Sequence, residues 1–596
     1  MFLRAKIRKK DGKQHRYFSV VENRRVGQNR RAQRTVLYLG EINDSQEAIW
    51  HRTLQVFDES HQQYTTLSLF PEDREIPAES SNRMQVKLSE MELHRPRAFG
   101  NCWLGCELWR QLRQFWEEKL SEKVQRETVS WAKVLQLLVE NRLIDPGSEF
   151  RVHRQWFDQS AMGELLEADF AVAEKDRLYR CLDRILEHKP GLFQHLRERW
   201  QDLFQAQFDV LRYDLTSTYI EGEGEEIPKA KYGYSRDQRF DSKQVVIALV
   251  ITPEGFPLAY EVMDGNTSDR TTLRSFLDKI ESSYGRARRV WVMDRGIPTE
   301  AVLEEMRTSD REIFYLVGTP RSKIRRYEKK WLDLPWQKVR ESVEVKRFAE
   351  ADELYVLAKS EGRRAKERAM RRKKLARLLR KLRAMQRSGP RRDQLLLRIG
   401  AARKEAGSAF RFLQVQLPRE GEAVTRNSFQ LRVDQPKLRA AELQDGHYLL
   451  RSNLVGEDPA VLWERYVQLA QIEAAFKTMK SELGIRPLYH QLGHRVEAHI
   501  LVAFLAYCLL VTLKNRLQAL APGLTPKAVL EKLSTIQMLD VWLPTTDQRW
   551  LVMPRFTQPE ADQAILLHKL KLELPHQPPP RIKTRVLEFP PEALRL

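Results

Sequence analysis

The most constraining feature of this 596-residue chain is a series of short apolar runs between residues 208 and 317. Runs at 208–213, 245–251, 257–263, 290–293 and 313–317 are strand-length and rich in Val, Ile, Leu and Tyr. Helical patterns fall at 269–280 and 299–307. The resulting order, three strands, a helix, a strand, a helix and a strand, predicts an α/β layer built on a mixed sheet. Asp214 and Asp294 each close an apolar run. At strand ends in such a layer, side chains converge on a cleft.

A third carboxylate stands out further along. Periodicity turns helical from 459 and continues to 483. Residues seven apart on an α-helix differ by only about 20°, so Tyr466, Glu473 and Lys480 share a face, with Lys477 beside them. A hydroxyl, a carboxylate and an ammonium on one stripe suit a metal–phosphate site. An amphipathic helix with an exposed Glu–Lys face has the same spacing.

Charge narrows the class of partner. There are 102 Lys+Arg against 81 Asp+Glu, a net charge of +21 and a pI of about 9.7. The excess sits in two blocks, net +10 over residues 1–35 and net +16 over residues 363–404, on a body of net −5. Such blocks either track phosphate backbones or form solvated basic faces. Four cysteines exclude a disulfide scaffold. Cys102 and Cys106, on a Trp/Leu-rich helix without a second Cys/His pair nearby, read as core. The charged start lacks the apolar stretch of a signal peptide, and the longest apolar run, 500–513, reads as a buried helix. The expectation is a cytoplasmic, nucleoid-associated protein with no membrane partner.

The chain divides into six expected regions: 1–90, a basic β region with a polar linker; 91–207, a helical, DNA-binding region; 208–320, the first part of the core; 321–455, an insertion; 456–520, the second part of the core; and 521–596, ending in a Pro-rich tail. A helix is expected from 43–45 to about 56. The insertion shows strands near 343–348, 354–358, 410–417, 429–433 and 448–450. Its basic block reads as a helical hairpin turning at Gly389 and Pro390.

Four motifs occur in order. They are Asp214-Leu-Thr-Ser-Thr-Tyr219-Ile-Glu-Gly, Gly265-Asn266-Thr-Ser-Asp269, Trp291-Val-Met-Asp294-Arg295-Gly296, and Tyr466, Glu473 and Lys480 at seven-residue steps. Together they resemble the DDE transposases of bacterial insertion sequences, in the cut-and-paste superfamily named after insertion sequence four. The similarity is clearest over 208–320 and 456–513. The basic N-terminal strands and Leu39-Gly-Glu-Ile-Asn-Asp-Ser45 are similar to one long-chain branch of that superfamily.

The resemblance implies an RNase H-like catalytic core. Its first Asp ends the first strand, its second ends the fourth, and its Glu follows the fifth on a helix, after a mostly β insertion. Here 179 positions separate Asp294 from Glu473. It also implies that Asp214, Asp294 and Glu473 hold two Mg²⁺ or Mn²⁺ ions, and that Tyr466 and Lys480 contact DNA phosphates. Hard cations of this kind take oxygen ligands. Partners would be double-stranded DNA, both transposon ends and target, and a second copy in a synaptic dimer. Family members of this class cut through a DNA hairpin and then insert the 3′ ends. One departure is Leu469, where the family signature carries Arg. Its phosphate contact is then absent or supplied elsewhere, with Lys477 on the same face as a candidate.

Other residues compete for these roles. Glu497 is the best substitute for Glu473. Glu221, Glu223, Glu225 and Glu226 read as a solvated turn, and Asp269 as a helix cap. His490, His494 and His499 fit one helix only partly, which disfavours zinc. Trp331 and Trp336 read as core, with stacking on an unpaired base as the functional option. The alternatives for the whole are a DDE nuclease without strand transfer and an inactive, transposase-derived DNA-binding protein.

Overall fold

The computed structural model describes residues 2–10, 13–26, 30–41, 54–58, 63–67, 86–121, 129–267, 289–294, 296–308, 313–320, 334–545 and 548–583, with a few positions between 274 and 281 and residue 324. The chain forms two compact units. The first holds Met1–Glu187, Glu482–Gly484 and Ala498–Leu596; the second holds His188–Ser481 and Ile485–Glu497.

In the first unit β1 (Phe2–Lys10), β2 (Lys13–Val26) and β3 (Arg30–Glu41) form an antiparallel sheet, as the alternating basic and apolar pattern predicts. The helix expected up to residue 56 falls mostly outside the described residues, and its last positions lie in β4 (Leu54–Asp58). This strand pairs with β5 (Gln63–Leu67). Residues 92–98, placed in the helical region, are β6 (Glu92–Ala98). Their pairing partner lies more than 400 positions away, beyond the reach of local pattern.

Helices follow as α1 (Gly100–Lys119), α2 (Trp131–Ile144) and α3 (Lys175–Arg184). Cys102 is fully buried in α1. Cys106 Sγ lies 3.4 Å from Glu140 Oε2, and Gln136 Nε2 donates to Glu140 Oε1 at 2.7 Å. Burial pushes the Glu140 carboxyl up to about 8, against the pull of those two hydrogen bonds.

The second unit opens with α4 (Lys189–Phe204) and carries a nine-stranded mixed sheet. Its strands are β7 (Val210–Tyr219), β8 (Gln244–Ile251), β9 (Pro257–Asp264), β10 (Arg289–Met293), β11 (Ile313–Thr319), β12 (Gln337–Arg340), β13 (Val343–Glu350), β14 (Glu353–Ser360) and, after the hairpin, β17 (His447–Ser452). A helix, α5 (Glu300–Thr308), joins β10 to β11. The spatial order is β12-β13-β14-β17-β11-β10-β7-β8-β9. Strands β7, β10 and β11 are parallel, and β7, β8 and β9 form an antiparallel meander. Strand β8 is buried along its whole length, which explains its unbroken apolar run.

Four insertion strands therefore extend the core sheet. Strand β17 pairs with both β11 and β14. The seam is fastened by Glu353, which accepts from Arg451 Nε and Arg307 Nη1, each at 2.5 Å, while Arg451 also reaches Glu300 at 2.7 Å. Burial raises the Glu353 pKa, but Arg451, Tyr315 and Arg307 outweigh it and hold the group ionised.

The basic block forms the expected hairpin, α6 (Glu361–Ser388) and α7 (Arg392–Ala406). Gly389 ends α6 with φ 52°, the left-handed conformation that suits glycine. Leu378, Leu382, Leu395, Ile399 and Phe429 close the hairpin onto itself and onto the pair β15 (Leu413–Gln416) and β16 (Gln430–Val433). Each such buried side chain contributes roughly 1.5–3 kcal/mol. After them α8 (Gln435–Leu443) leads to β17.

The helix expected over 459–483 is two helices, α9 (Pro459–Val467) and α10 (Ala470–Ser481). Gln468, between them, accepts a hydrogen bond from the buried Arg212. The backbone tightens there, with Leu469 N–H donating to the Tyr466 carbonyl at 2.9 Å. The next helix, α11 (Gly493–Leu520), is divided between the units. It is long and apolar enough to cross a bilayer by length and composition, yet 89% of its most apolar window is buried. The first unit ends with α12 (Pro526–Leu533), β18 (Gln537–Pro544), β19 (Trp550–Phe556), α13 (Ala561–Leu570) and β20 (Arg581–Lys583). These strands join β4, β5 and β6 in one six-stranded sheet.

Candidate active site

Asp214 does not end its strand. Strand β7 runs five residues further because Leu215–Tyr219 continue the antiparallel pairing with β8. What ends near Asp214 is the parallel pairing with β10, whose last register pair is Met293 with Tyr213. The next residue along each segment is a carboxylate, Asp214 still within β7 and Asp294 just past the end of β10. Asp294 and Asp214 therefore follow directly on paired residues of adjacent strands, and both line the same cleft. The Leu215 N–H donates to Asp214 Oδ1 at 2.8 Å.

Glu473 reaches the same place from α10. Ile472, Ala475, Phe476 and Met479 make the buried face of that helix, which packs against β7. Glu473 lies on the exposed side and lines the cleft. Two cavities, of about 430 and 390 Å³, share Asp214, Asp294 and Glu473 in their walls.

Tyr466 sits on α9, so the single-helix stripe fails for it. Leu462 and Trp463 anchor α9 over the sheet cluster of Val292, Leu316, Val356 and Leu450. That anchoring points the Tyr466 hydroxyl at Asp294 Oδ1, 3.5 Å away. Leu469, at the break, packs against the same cluster and lines the larger cavity. Lys477 is exposed and lines neither cavity.

Lys480 lines the smaller cavity, and its Nζ donates to Asp237 Oδ1 at 2.9 Å. Arg486 donates to the same oxygen, while Asp237 Oδ2 is buried with no hydrogen-bond partner. Burial pulls the Lys480 pKa below the ordinary lysine value, and Arg486 and Arg236 add to the pull; Asp237 opposes them.

Sequence reasoning missed Arg236, Asp237 and Arg363. The first two lie on the loop between β7 and β8. Gly265 makes that loop's path possible: a Cβ there would stand 1.9 Å from the Gln244 carbonyl oxygen and 2.5 Å from that of Lys231. The Arg236 N–H also donates to Ser217 Oγ of β7 at 3.3 Å. Arg363, in the first turn of α6, lines the larger cavity. No local spacing could have linked these positions to the carboxylates.

The competing residues fall elsewhere. Glu497 accepts from Lys229 Nζ at 2.7 Å, and it lines neither cavity. Glu221 pairs with Arg239 at 3.2 Å. Trp336 is 36% exposed rather than core, with Lys346 Nζ 4.7 Å and Lys359 Nζ 5.5 Å from its ring. Asp269, Arg295 and Trp331 lie outside the described residues.

Residues 209–509, just over half of the chain, match the family described as the transposase DDE domain. The chain is a DDE transposase family member. The match begins one residue before β7 and includes both cavities, so the family assignment rests on the part of the transposase that carries the carboxylates. No curated protein matches the chain. Among solved structures the transposase is similar to piggyBac transposase in a synaptic complex with hairpin DNA, at 8% identity and a TM-score of 0.33, over 74% of this chain and 82% of that one. It is also similar to Mos1 transposase in a paired-end complex with the left transposon end, at 14% identity and a TM-score of 0.13, over 35% and 66%. At these scores neither similarity bears on the fold.

Proposed function

We propose that this transposase binds the ends of a bacterial insertion sequence, cleaves the DNA there and joins the 3′ ends to target DNA. The observation that carries the reading is the presence of Asp214, Asp294 and Glu473 in the walls of the same two cavities. The strand order β9-β8-β7-β10-β11, with the last three parallel, supports an RNase H-like core. It accords with the insertion sequence four superfamily and its long-chain branch.

The donor set fits divalent cations. Three carboxylates offer hard oxygens, and among the described residues neither cavity wall contains a His or Cys. Asp214, Asp294 and Glu473 would hold two Mg²⁺ or Mn²⁺ ions, which when bound would supply positive charge where the phosphodiester is displaced. Around that centre Tyr466 orients Asp294 through its hydroxyl. Lys480 offers an ammonium to a DNA phosphate. Burial of the Lys480 side chain strengthens that attraction. Lys477 has no part in this reading; the cations on the cavity walls take the place assigned to it.

The basic hairpin supplies a longer track. Lys366, Lys373, Arg380 and Arg387 recur every seven residues on the exposed side of α6, a stripe about 10 Å per step. It suits a duplex backbone, and the N-terminal regions would add end recognition. Two ends handled together call for a homodimer, and the reading places the protein on the nucleoid in the cytoplasm.

The test uses the full chain with DNA that flanks its own coding sequence, a target plasmid and Mg²⁺. Cleavage with 3′-hydroxyl ends and recovery of joined products supports the proposal. Cleavage without joining would mean a DDE nuclease. Binding without cleavage would mean an inactive, transposase-derived DNA-binding protein.

A further inference from the structure

The two cavities that share the carboxylates lie on opposite sides of them. Along α9 and α10 the larger takes Tyr466, Leu469 and Ile472, and the smaller takes Phe476 and Lys480; Glu473 belongs to both. Across the sheet the larger takes Thr319 of β11 and Leu449 of β17, and the smaller takes Leu215 and Thr216 of β7. Two independent directions therefore give the same division, with the three acids at the boundary.

Each side has its own arginine, brought in from an element that carries none of the acids. Arg363 enters the larger cavity from the first turn of α6. Its guanidinium lies 4.6 Å from the Tyr448 ring centroid, and its Nε donates to Glu367 at 3.1 Å. Its side chain remains 44% exposed. Arg236 enters the smaller cavity from the loop between β7 and β8, held there through its backbone bond to Ser217. Among the described residues the two linings have no arginine in common.

We propose that a single DNA strand crosses the carboxylates from one cavity into the other, with Arg363 holding the phosphate on one side of the cut bond and Arg236 the phosphate on the other. This rests on the reading of the cleft as a phosphodiester-cleaving site. The physical requirement is charge. Cations held by the three carboxylates would act on the reacting phosphate, and the phosphates flanking it need their own positive charges to stay in line. A guanidinium suits this because its fork can bind two phosphate oxygens at once.

The test is single-turnover cleavage by the full-length protein of end-sequence DNA in which one phosphate, immediately 5′ or 3′ of the cut, is replaced by a neutral methylphosphonate. Arg363→Gln and Arg236→Gln should each slow cleavage of normal DNA by about 10- to 100-fold, the effect of removing one charge-assisted hydrogen bond. Each variant should match the wild-type rate on the substrate neutral at its own side and remain slower on the other, with the sides exchanged between the two variants. Arg→Lys at either position should recover part of the rate, which separates charge from folding. The inference is overturned if both variants answer to the same linkage, if the penalty survives with both linkages neutral, or if neither variant is slow. Glu473→Gln serves as the control. If it still cleaves, the reading of the site fails; if it is inactive while the arginine variants behave like wild type, only the two-sided grip fails.

Discussion

Asp237 holds Lys480 by a 2.9 Å hydrogen bond between side chains that are 6% and 10% exposed. The lysine that faces the cavity is thus tethered by a buried carboxylate from the β7–β8 loop, with Arg486 on the same oxygen. Removing one partner of such a pair leaves uncompensated charge. Asp237→Ala should cost about 3–5 kcal/mol of folding stability, read from denaturant midpoints. Asp237→Asn keeps the size and an acceptor and should cost less. If Lys480 is positioned by Asp237, Asp237→Asn in a Lys480→Gln background should lower cleavage no further. Additive losses would show that Asp237 acts elsewhere.

Glu473 and Glu497 separate cleanly. Glu473→Gln should abolish Mg²⁺-dependent cleavage and leave DNA binding within about twofold, because only metal ligation is removed. Glu497→Gln breaks a partly exposed ion pair with Lys229 and should cost no more than about 1 kcal/mol. Its cleavage rate should be near that of the wild type. The reverse pattern would move the third ligand to α11.

The hairpin should show itself in salt dependence. Arg372, Lys373 and Lys374 are exposed, whereas Arg371 is engaged by the buried Asp445 at 2.8 Å. Changing Arg372, Lys373 and Lys374 to Gln should flatten the plot of log K against log salt by about 0.9 for each phosphate no longer neutralised. An unchanged slope would make this a surface that does not touch DNA.

Glu140 gives a pH dependence unrelated to catalysis. Its folded pKa of about 8 lies above the ordinary value of 4.5. Below pH 4.5 both folded and unfolded chains hold the proton. Between 4.5 and 8 the unfolded chain has released it and the folded chain has not, so stability falls as pH rises. The full loss is on the order of 4–5 kcal/mol. Glu140→Gln should remove that slope from urea midpoints taken between pH 5 and 8. A slope unchanged in the variant would place its origin in another group.

The sheet and the position of Asp294 were legible in the sequence because their signals are local. An unbroken apolar run such as β8 marks a buried strand whatever surrounds it. Met293 followed by Asp294 marks the end of one. The hairpin was equally plain, since its leucines keep helical spacing and Gly389 ends the first helix. What remained hidden depends on distant partners. The break at Gln468 is associated with Arg212, 256 positions earlier. The Lys480 tether needs Asp237, 243 positions earlier. The pairing of β6 with β18 joins residues that no periodicity relates.

The double pairing of β17 also sets a schedule. That strand lies between β11 and β14, yet it is made only after the hairpin, and α10 follows it. At roughly 5–20 residues per second, the ribosome needs about 10–35 s to travel the 179 positions from Asp294 to Glu473. For most of that interval, until β17 is made, the growing chain owns two of the three acids and an unfilled gap in its sheet; Tyr466 and then Glu473 come only after that strand. The cleft is thereby the last part of the sheet unit to be completed, and its third carboxylate enters the chain only once nearly four-fifths of the length exists.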